Sequence, residues 1–311
     1  MNKILILIIL ALTSIAICNV IPNENIATQS DLEVVGQLNK IEIERRVTGG
    51  NIARVGQFPY KAALNMITNN GDTYICGGNL VRYNWVITTA GCIDGFRQVY
   101  LFLGTIAGLG EGHAWKSPSI PERHLFKHPR YNNVVFTNNL GMIYLETATE
   151  SILNNQNIGL VSLPTRADAN FNVVGRNGMF AGYGRTNDQG SSLWTLHYAV
   201  LPLVNNTICR EVFPDNTTPG ILCANTAGGI SPCAGDTGSG IVIEVATGRN
   251  VLMGVFSYNV PVCSIEIPAV FEEITGHLDW IEETFKNSSP TVGLSFALLS
   301  SIIIIVTSTM K

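Results

Sequence analysis

Apolar residues come along this chain in short runs broken by glycine, asparagine and proline. Residues 58–67, 74–80 and 85–89 are such runs, and others fall at 99–103, 141–145, 178–181, 196–203, 221–223, 241–245, 251–257 and 268–271. Runs this short, bounded by turn-formers and without amphipathic helices between them, predict antiparallel strands in an all-β barrel or sandwich. One helix stands out near the end, where Ile274, Leu278, Ile281 and Phe285 recur at spacings of 4, 3 and 4 with Trp280 beside them.

Both ends depart from this pattern. Met1-Asn2-Lys3 precedes apolar Ile4 to Ile17, with small Ala16 and Cys18 behind. This predicts a secretory signal peptide over residues 1–18, since about 14 apolar residues are short for a membrane span. Residues 19–46 are polar with scattered aliphatics, contain no cysteine, and read as a flexible pro-segment. The pro-segment ends in Glu44-Arg45-Arg46 before Val47-Thr48-Gly49-Gly50, a pattern that suits cleavage after Arg46 on an exposed linker. Residues 287–311 are too apolar for a solvent-exposed tail. A GPI signal behind Asn287-Ser288-Ser289, a short transmembrane helix and packing against the domain are the three readings of that tail.

Composition narrows the picture further. The chain has 311 residues, 46% hydrophobic and 14% charged, enough for one large or two modest cores. A net charge of −4 with no Lys/Arg cluster offers no nucleic-acid surface. Apart from Cys18 there are Cys76, Cys92, Cys209, Cys223, Cys233 and Cys263. An even count in a secreted chain implies bridges. Six cysteines permit many pairings, and the spacing suggests Cys76–Cys92, Cys209–Cys223 and Cys233–Cys263. No CxxC pair occurs and no histidine sits at ligand spacing, so no metal or other cofactor is expected. Sequons at Asn205, Asn216 and Asn287 are candidate glycosylation sites.

The chemistry centres on Cys233-Ala234-Gly235-Asp236-Thr237-Gly238-Ser239-Gly240, with apolar Ile241-Val242-Ile243 behind it. Its glycines let the backbone turn sharply and present N–H groups to a substrate. A carboxylate buried there needs a compensating cation. This stretch resembles the Gly-Asp-Ser-Gly-Gly-Pro signature of trypsin- and chymotrypsin-like serine proteases. Other stretches follow in that family's order: Phe58-Pro59-Tyr60, Cys76-Gly77-Gly78-Asn79-Leu80, Trp85 to Ala90, Leu140 to Leu145, Gly182-Tyr183-Gly184 and Gly254 to Ser257. The resemblance covers residues 47–286. It implies two packed six-stranded antiparallel β-barrels with a C-terminal α-helix. It also implies that a freed Val47 amine would pair with Asp236.

The same resemblance locates the catalytic parts, and all three differ. Gly91 stands before Cys92 where the family has its histidine base, Asn139 where it has aspartate, and Thr237 where it has the nucleophilic serine. Glycine cannot take a proton, an amide cannot stabilise an imidazolium as a carboxylate does, and the threonine methyl crowds the attack path. Backbone donors at Gly235 and Thr237 can still form an oxyanion hole. Ser231 lies at the base of the implied substrate pocket near Ser257, while Ala269 and Asn259 in place of glycines narrow it. The uncharged base favours apolar side chains. His113, His124, His128, His197 and His277 read as surface or structural residues in loop-like or helical surroundings. The resulting expectation is a secreted or surface-tethered protease homologue. It would bind proteins, active serine proteases or their substrates among them, as decoy, cofactor or adhesion surface. The alternative is a working chymotrypsin-like endopeptidase with a displaced base, and a third reading is a carrier of small apolar ligands.

Overall fold

The computed structural model describes residues 50–107, 112–146, 150–185, 195–214, 220–246, 248–257 and 265–287. The signal peptide, the pro-segment, Arg46, Val47, Asn216, Asn259, Cys263 and the tail beyond Asn287 lie outside them. Strands β1 (Asn51–Ile52), β2 (Lys61–Ile67), β3 (Thr73–Arg82), β4 (Trp85–Thr88), β5 (Gln98–Leu103), β6 (Trp115–Lys116), β7 (Leu125–Lys127) and β8 (Gly141–Tyr144) come first. They are followed by β9 (Asn177–Gly182), β10 (His197–Val204), β11 (Ile221–Ala224), β12 (Gly240–Glu244), β13 (Asn250–Phe256) and β14 (Ala269–Glu273). Every strand run read from the apolar pattern is present. β1, β6 and β7 were not foreseen, because two or three residues carry no alternation to read.

All named strands pair antiparallel, in two sheets. In the C-terminal one, β9, β12, β13, β14, β11 and β10 pair in sequence and β10 pairs back to β9, closing a six-stranded barrel, with β1 added on β10. The N-terminal sheet runs β6-β5-β2-β3-β4-β8-β7. Among the described residues its edge strands do not pair with each other, so its seven strands curl without closing in the way the C-terminal six do.

Burial explains the two layers. Leu64, Leu80, Leu101 and Ile143 fill the N-terminal sheet, and Phe180, Leu201, Ile241 and Phe271 fill the closed barrel. A third cluster takes Trp85 and Ile87 from the first sheet, Leu252 and Val255 from the second, and Ile281 and Phe285 from the last helix. Three α-helices are described: α1 (Glu150–Leu153), α2 (Asn206–Val212) and α3 (Leu278–Asn287). The periodic face foreseen near the C-terminus is the buried face of α3, although Ile274 precedes a 3₁₀ turn at Thr275–His277. Asn205 caps α2 by accepting a hydrogen bond from the Thr207 N–H at 3.0 Å. Asn205 and Asn287 are both exposed.

Disulfides join Cys76 to Cys92 and Cys209 to Cys223, with Cα separations of 6.1 and 5.8 Å. Cys233 is disulfide-bonded as well. The two sheets meet at a polar junction around Asn79. The buried Asn79 amide on β3 donates to Gly238 C=O at 3.0 Å and accepts from Gly240 N–H at 3.0 Å. Alongside, Gly77 N–H donates to Thr237 C=O at 2.7 Å.

Replacing Asn79 with alanine strands a buried acceptor and a buried donor, each costing about 1–3 kcal/mol. Asn79→Ala is expected to lower unfolding free energy by about 2–4 kcal/mol. In a urea titration this reads as a lower midpoint at unchanged slope.

Candidate functional site

β12 begins where the Cys233–Gly240 turn ends, so a strand of the closed barrel holds the turn on one side and β3 grips it on the other. Its centre is Asp236, 1% exposed. One carboxylate oxygen accepts from Gly184 N–H at 2.7 Å and the other from Cys233 N–H at 2.9 Å. The glycines around Tyr183 are explained by this carboxylate. A Cβ at Gly182 would stand 1.9 Å from one oxygen and a Cβ at Gly184 2.4 Å from the other.

Burial raises the Asp236 pKa to about 6, against the lowering influence of those two N–H donors and of Lys61. Lys61, on β2, is itself 1% exposed. Its ammonium has no hydrogen-bond partner among the described residues. Burial lowers its pKa to about 7, with the Asp236 charge pulling the other way. The two charges therefore compensate one another at a distance, without an ion pair.

Gly91, Asn139 and Thr237, the positions that the resemblance assigns to the triad, come together beside this turn. Gly91 N–H donates to Asn139 Oδ1 at 2.9 Å. The Asn139 side-chain amide donates to Ser257 C=O at 2.8 Å and to Ser257 Oγ at 3.1 Å. Its own backbone N–H reaches Glu272 at 3.1 Å. Glu272 is buried and holds His277 Nε2 at 2.7 Å. Gly91, Asn139, Gly235, Thr237 and Ser257 all line one cleft of about 480 Å³, whose other walls include the Cys76–Cys92 bridge, Tyr74, Phe96 and Phe136. A Cβ at Gly91 would meet the Tyr131 hydroxyl at 3.1 Å, so little room is left on that side for a larger residue.

Among the described residues the N–H groups of Gly235 and Thr237 donate to no protein acceptor, while those of Asp236, Gly238 and Ser239 are all used. Gly235 has φ of +96°, a conformation open to glycine. Ser231, Ser257 and Ala269 are buried, and the Ser231 hydroxyl donates to Pro232 C=O at 3.0 Å. Ser239 has a buried hydroxyl without a partner among the described residues.

The histidines correct one expectation. His197 lies on a strand, not in a loop or helix, and His128, His197 and His277 are all buried. His128 packs edge-on against His277 and Trp280. Burial first, then His277 and Arg130, lowers its pKa to about 4, keeping it neutral near pH 7. No imidazole lines the cleft. Lys61, Asn79, Tyr131, Phe136 and Glu272 escaped the sequence reading. Only Lys61, a lone cation inside the apolar run 58–67, left a signal there. Phe136 carries φ of +52°, a strained conformation for a bulky residue.

A closed six-stranded antiparallel barrel packed on a second antiparallel sheet, with a glycine-rich turn and a buried aspartate at their junction, defines a chymotrypsin-like fold. The Trypsin family model matches residues 47–281, and the chain belongs to that family. It is 29% identical to chymotrypsin of Phaedon cochleariae over 89% of this chain and 96% of that protein. With trypsin of Xenopus laevis it shares 27% over 83% of this chain and 98% of the relative. A solved structure of HL collagenase superposes with a TM-score of 0.64 at 25% identity, covering 76% of this chain and 97% of that one.

Lys61 binds fewer protons folded than unfolded between its lowered pKa of about 7 and the ordinary 10.5, so stability rises with pH across that window. Asp236 binds more protons folded than unfolded between 3.8 and about 6, so stability falls with rising pH there. Urea unfolding at a series of pH values is expected to show both limbs. Lys61→Met should flatten the alkaline rise, and Asp236→Asn the acid fall.

Proposed function

We propose that this chain is a secreted or surface-tethered serine protease homologue that binds proteins without cutting them. Its partners are active serine proteases or their substrates, met as decoy, cofactor or adhesion surface. The observation that supports this most directly is the hydrogen bond from Gly91 N–H to Asn139 Oδ1. Where a base and its orienting carboxylate are needed there is a backbone amide bonded to a side-chain amide, and neither can take up a proton near neutral pH. Family membership and the disulfides agree with an extracellular setting.

The displaced-base alternative finds no support in the cleft. The one histidine paired with a carboxylate among the described residues is His277. It is joined to Asn139 through Glu272 and does not line the cleft with Thr237. What remains, two N–H donors and a binding surface, retains about 10³–10⁴-fold catalysis over water in a triad-less protease. That is far below a digestive or regulatory enzyme.

Cleavage after Arg46 would still deliver a cation to Asp236, whose carboxylate makes no ion pair among the described residues. Cutting there is expected to raise the melting temperature of the parent and not of Asp236→Ala. Equal melting temperatures before and after cutting would count against the Val47–Asp236 pair. For the function itself, the cut protein incubated with a fluorophosphonate is expected to gain no covalent adduct by mass spectrometry. An adduct on Thr237, or steady turnover of a peptide amide by pure material, would overturn the reading.

A further inference from the structure

We propose that the N-terminal sheet carries a second binding site, a pocket between β6 and the end of β8 that takes one uncharged ring bearing a hydroxyl, a phenol. A tyrosine side chain on a partner protein has this chemistry, and so does a free phenolic compound. The pocket shares no lining residue with the Gly91 cleft. The proposal therefore goes beyond the non-cutting reading and does not depend on it.

Hydrogen bonds of the sheet fix the walls. After β6 the chain stays against β5, with Ser117 N–H donating to Leu101 C=O at 2.8 Å and Ile120 N–H to Val99 C=O at 2.9 Å. The Ser117 hydroxyl oxygen accepts from Leu101 N–H at 2.9 Å. A 3₁₀ turn at Glu122–His124 then leads into β7, which pairs with β8. Together with Tyr144 and Leu145 these segments enclose about 230 Å³. Trp115, Ile120 and Leu145 supply buried apolar surface. A volume this small suits a single ring and not a drug-sized molecule. Aromatic walls favour an edge-on or offset ring, the geometry His124 and Tyr144 already share, with ring centres 5.2 Å apart and planes at 89°.

Charge and hydrogen bonding specify the substituent. Arg123 and Glu146 stand 3.7 Å apart among the lining residues, both well exposed, so their charges offset each other and select no ion. Two other polar groups in the wall have no hydrogen-bond partner among the described residues. One is the indole N–H of Trp115, a donor only. Trp115 is 8% exposed, and an indole N–H so buried ordinarily finds an acceptor. The other is the His124 imidazole, free at both nitrogens. Burial first, then Arg123, lowers its pKa from the ordinary 6.5, so near pH 7 the ring is neutral and keeps an acceptor nitrogen. A hydroxyl meets both groups, its oxygen accepting from the indole and its proton going to the imidazole. A carboxylate or an ether cannot donate to His124, and an ammonium cannot accept from Trp115.

Fluorine NMR titration of the purified chain with 4-fluorophenol, 4-fluoroanisole and fluorobenzene tests this. The phenol is expected to bind about fivefold or more tighter than either of the other two, since it alone completes both pairings. His124→Phe keeps a ring and loses the acceptor, and should bring the phenol down to the affinity of the anisole. Trp115→Phe keeps a ring and loses the donor, and should weaken the phenol severalfold. Should Trp115→Phe not fold, His124→Phe decides alone. Equal affinity for phenol and fluorobenzene overturns the inference. A phenol preference unchanged in His124→Phe overturns it as well, because the ring then binds elsewhere. In competition with 4-fluorophenol, tighter binding of N-acetyltyrosinamide than of p-cresol assigns a tyrosine of a partner, and the reverse order assigns a free phenol.

Discussion

One buried amide holds the two halves of this protein in register at the point where they matter. Asn79 belongs to the N-terminal sheet, yet both of its polar atoms are committed to the turn of the other barrel, at Gly238 and Gly240. The glycines around it are required for the same closeness. A Cβ on Gly77 would sit 2.0 Å from Ser239 Oγ, and one on Gly238 would sit 2.3 Å from Thr88 Oγ1. Backbones packed this tightly leave a network that is either fully satisfied or badly destabilising. None of it uses a side chain of Gly91, Asn139 or Thr237. The turn and the Asp236 lock therefore stand independently of which side chains occupy positions 91, 139 and 237.

The substitutions near the cleft also make electrostatic sense together. Glu272 is a buried carboxylate bonded to the backbone of residue 139 and to His277. An aspartate at 139 would place a second carboxylate beside it, and like charges so close raise one pKa and destabilise the pair. An asparagine removes the repulsion and gains something an aspartate lacks, an N–H donor for Ser257 C=O. Asn139 is thus fitted to its present neighbours. The position is part of the scaffold's hydrogen bonding, with the Gly91 N–H and Ser257 as its partners.

Much of the fold could be read from the chain because strand runs and the α3 face are periodic, and periodicity survives without knowledge of contacts. The disulfides Cys76–Cys92 and Cys209–Cys223 followed from spacing. The parts that could not be read are those made by long-range closure. Lys61 pairs electrostatically with a residue far along the chain, and β2 is buried along Lys61–Leu64 on both faces, so alternation could not mark its lysine as special. Tyr131 and Phe136 come from a polar loop with no period. Their relation to Gly91 exists only once β8 has brought the loop against the turn. Glu272 reads as an outward polar residue at the end of a strand, and it is covered only once β14 lies between β11 and β13 and the Asn139 N–H and His277 close on its carboxylate.

The cleft illustrates how a missing side chain acts as a structural feature. In a site built for proton transfer, a polar ring would occupy the wall beside the disulfide and demand a hydrogen bond from whatever lay against it. With glycine there and the neighbouring Asn139 amide engaged by Gly91 and Ser257, the wall beside the disulfide carries no ring and makes no such demand. Binding free energy in such a site comes from area removed from water and from meeting two fixed N–H groups. Neither source calls for a reacting atom. Selection acting on affinity alone would then favour wall residues that enlarge flat contact.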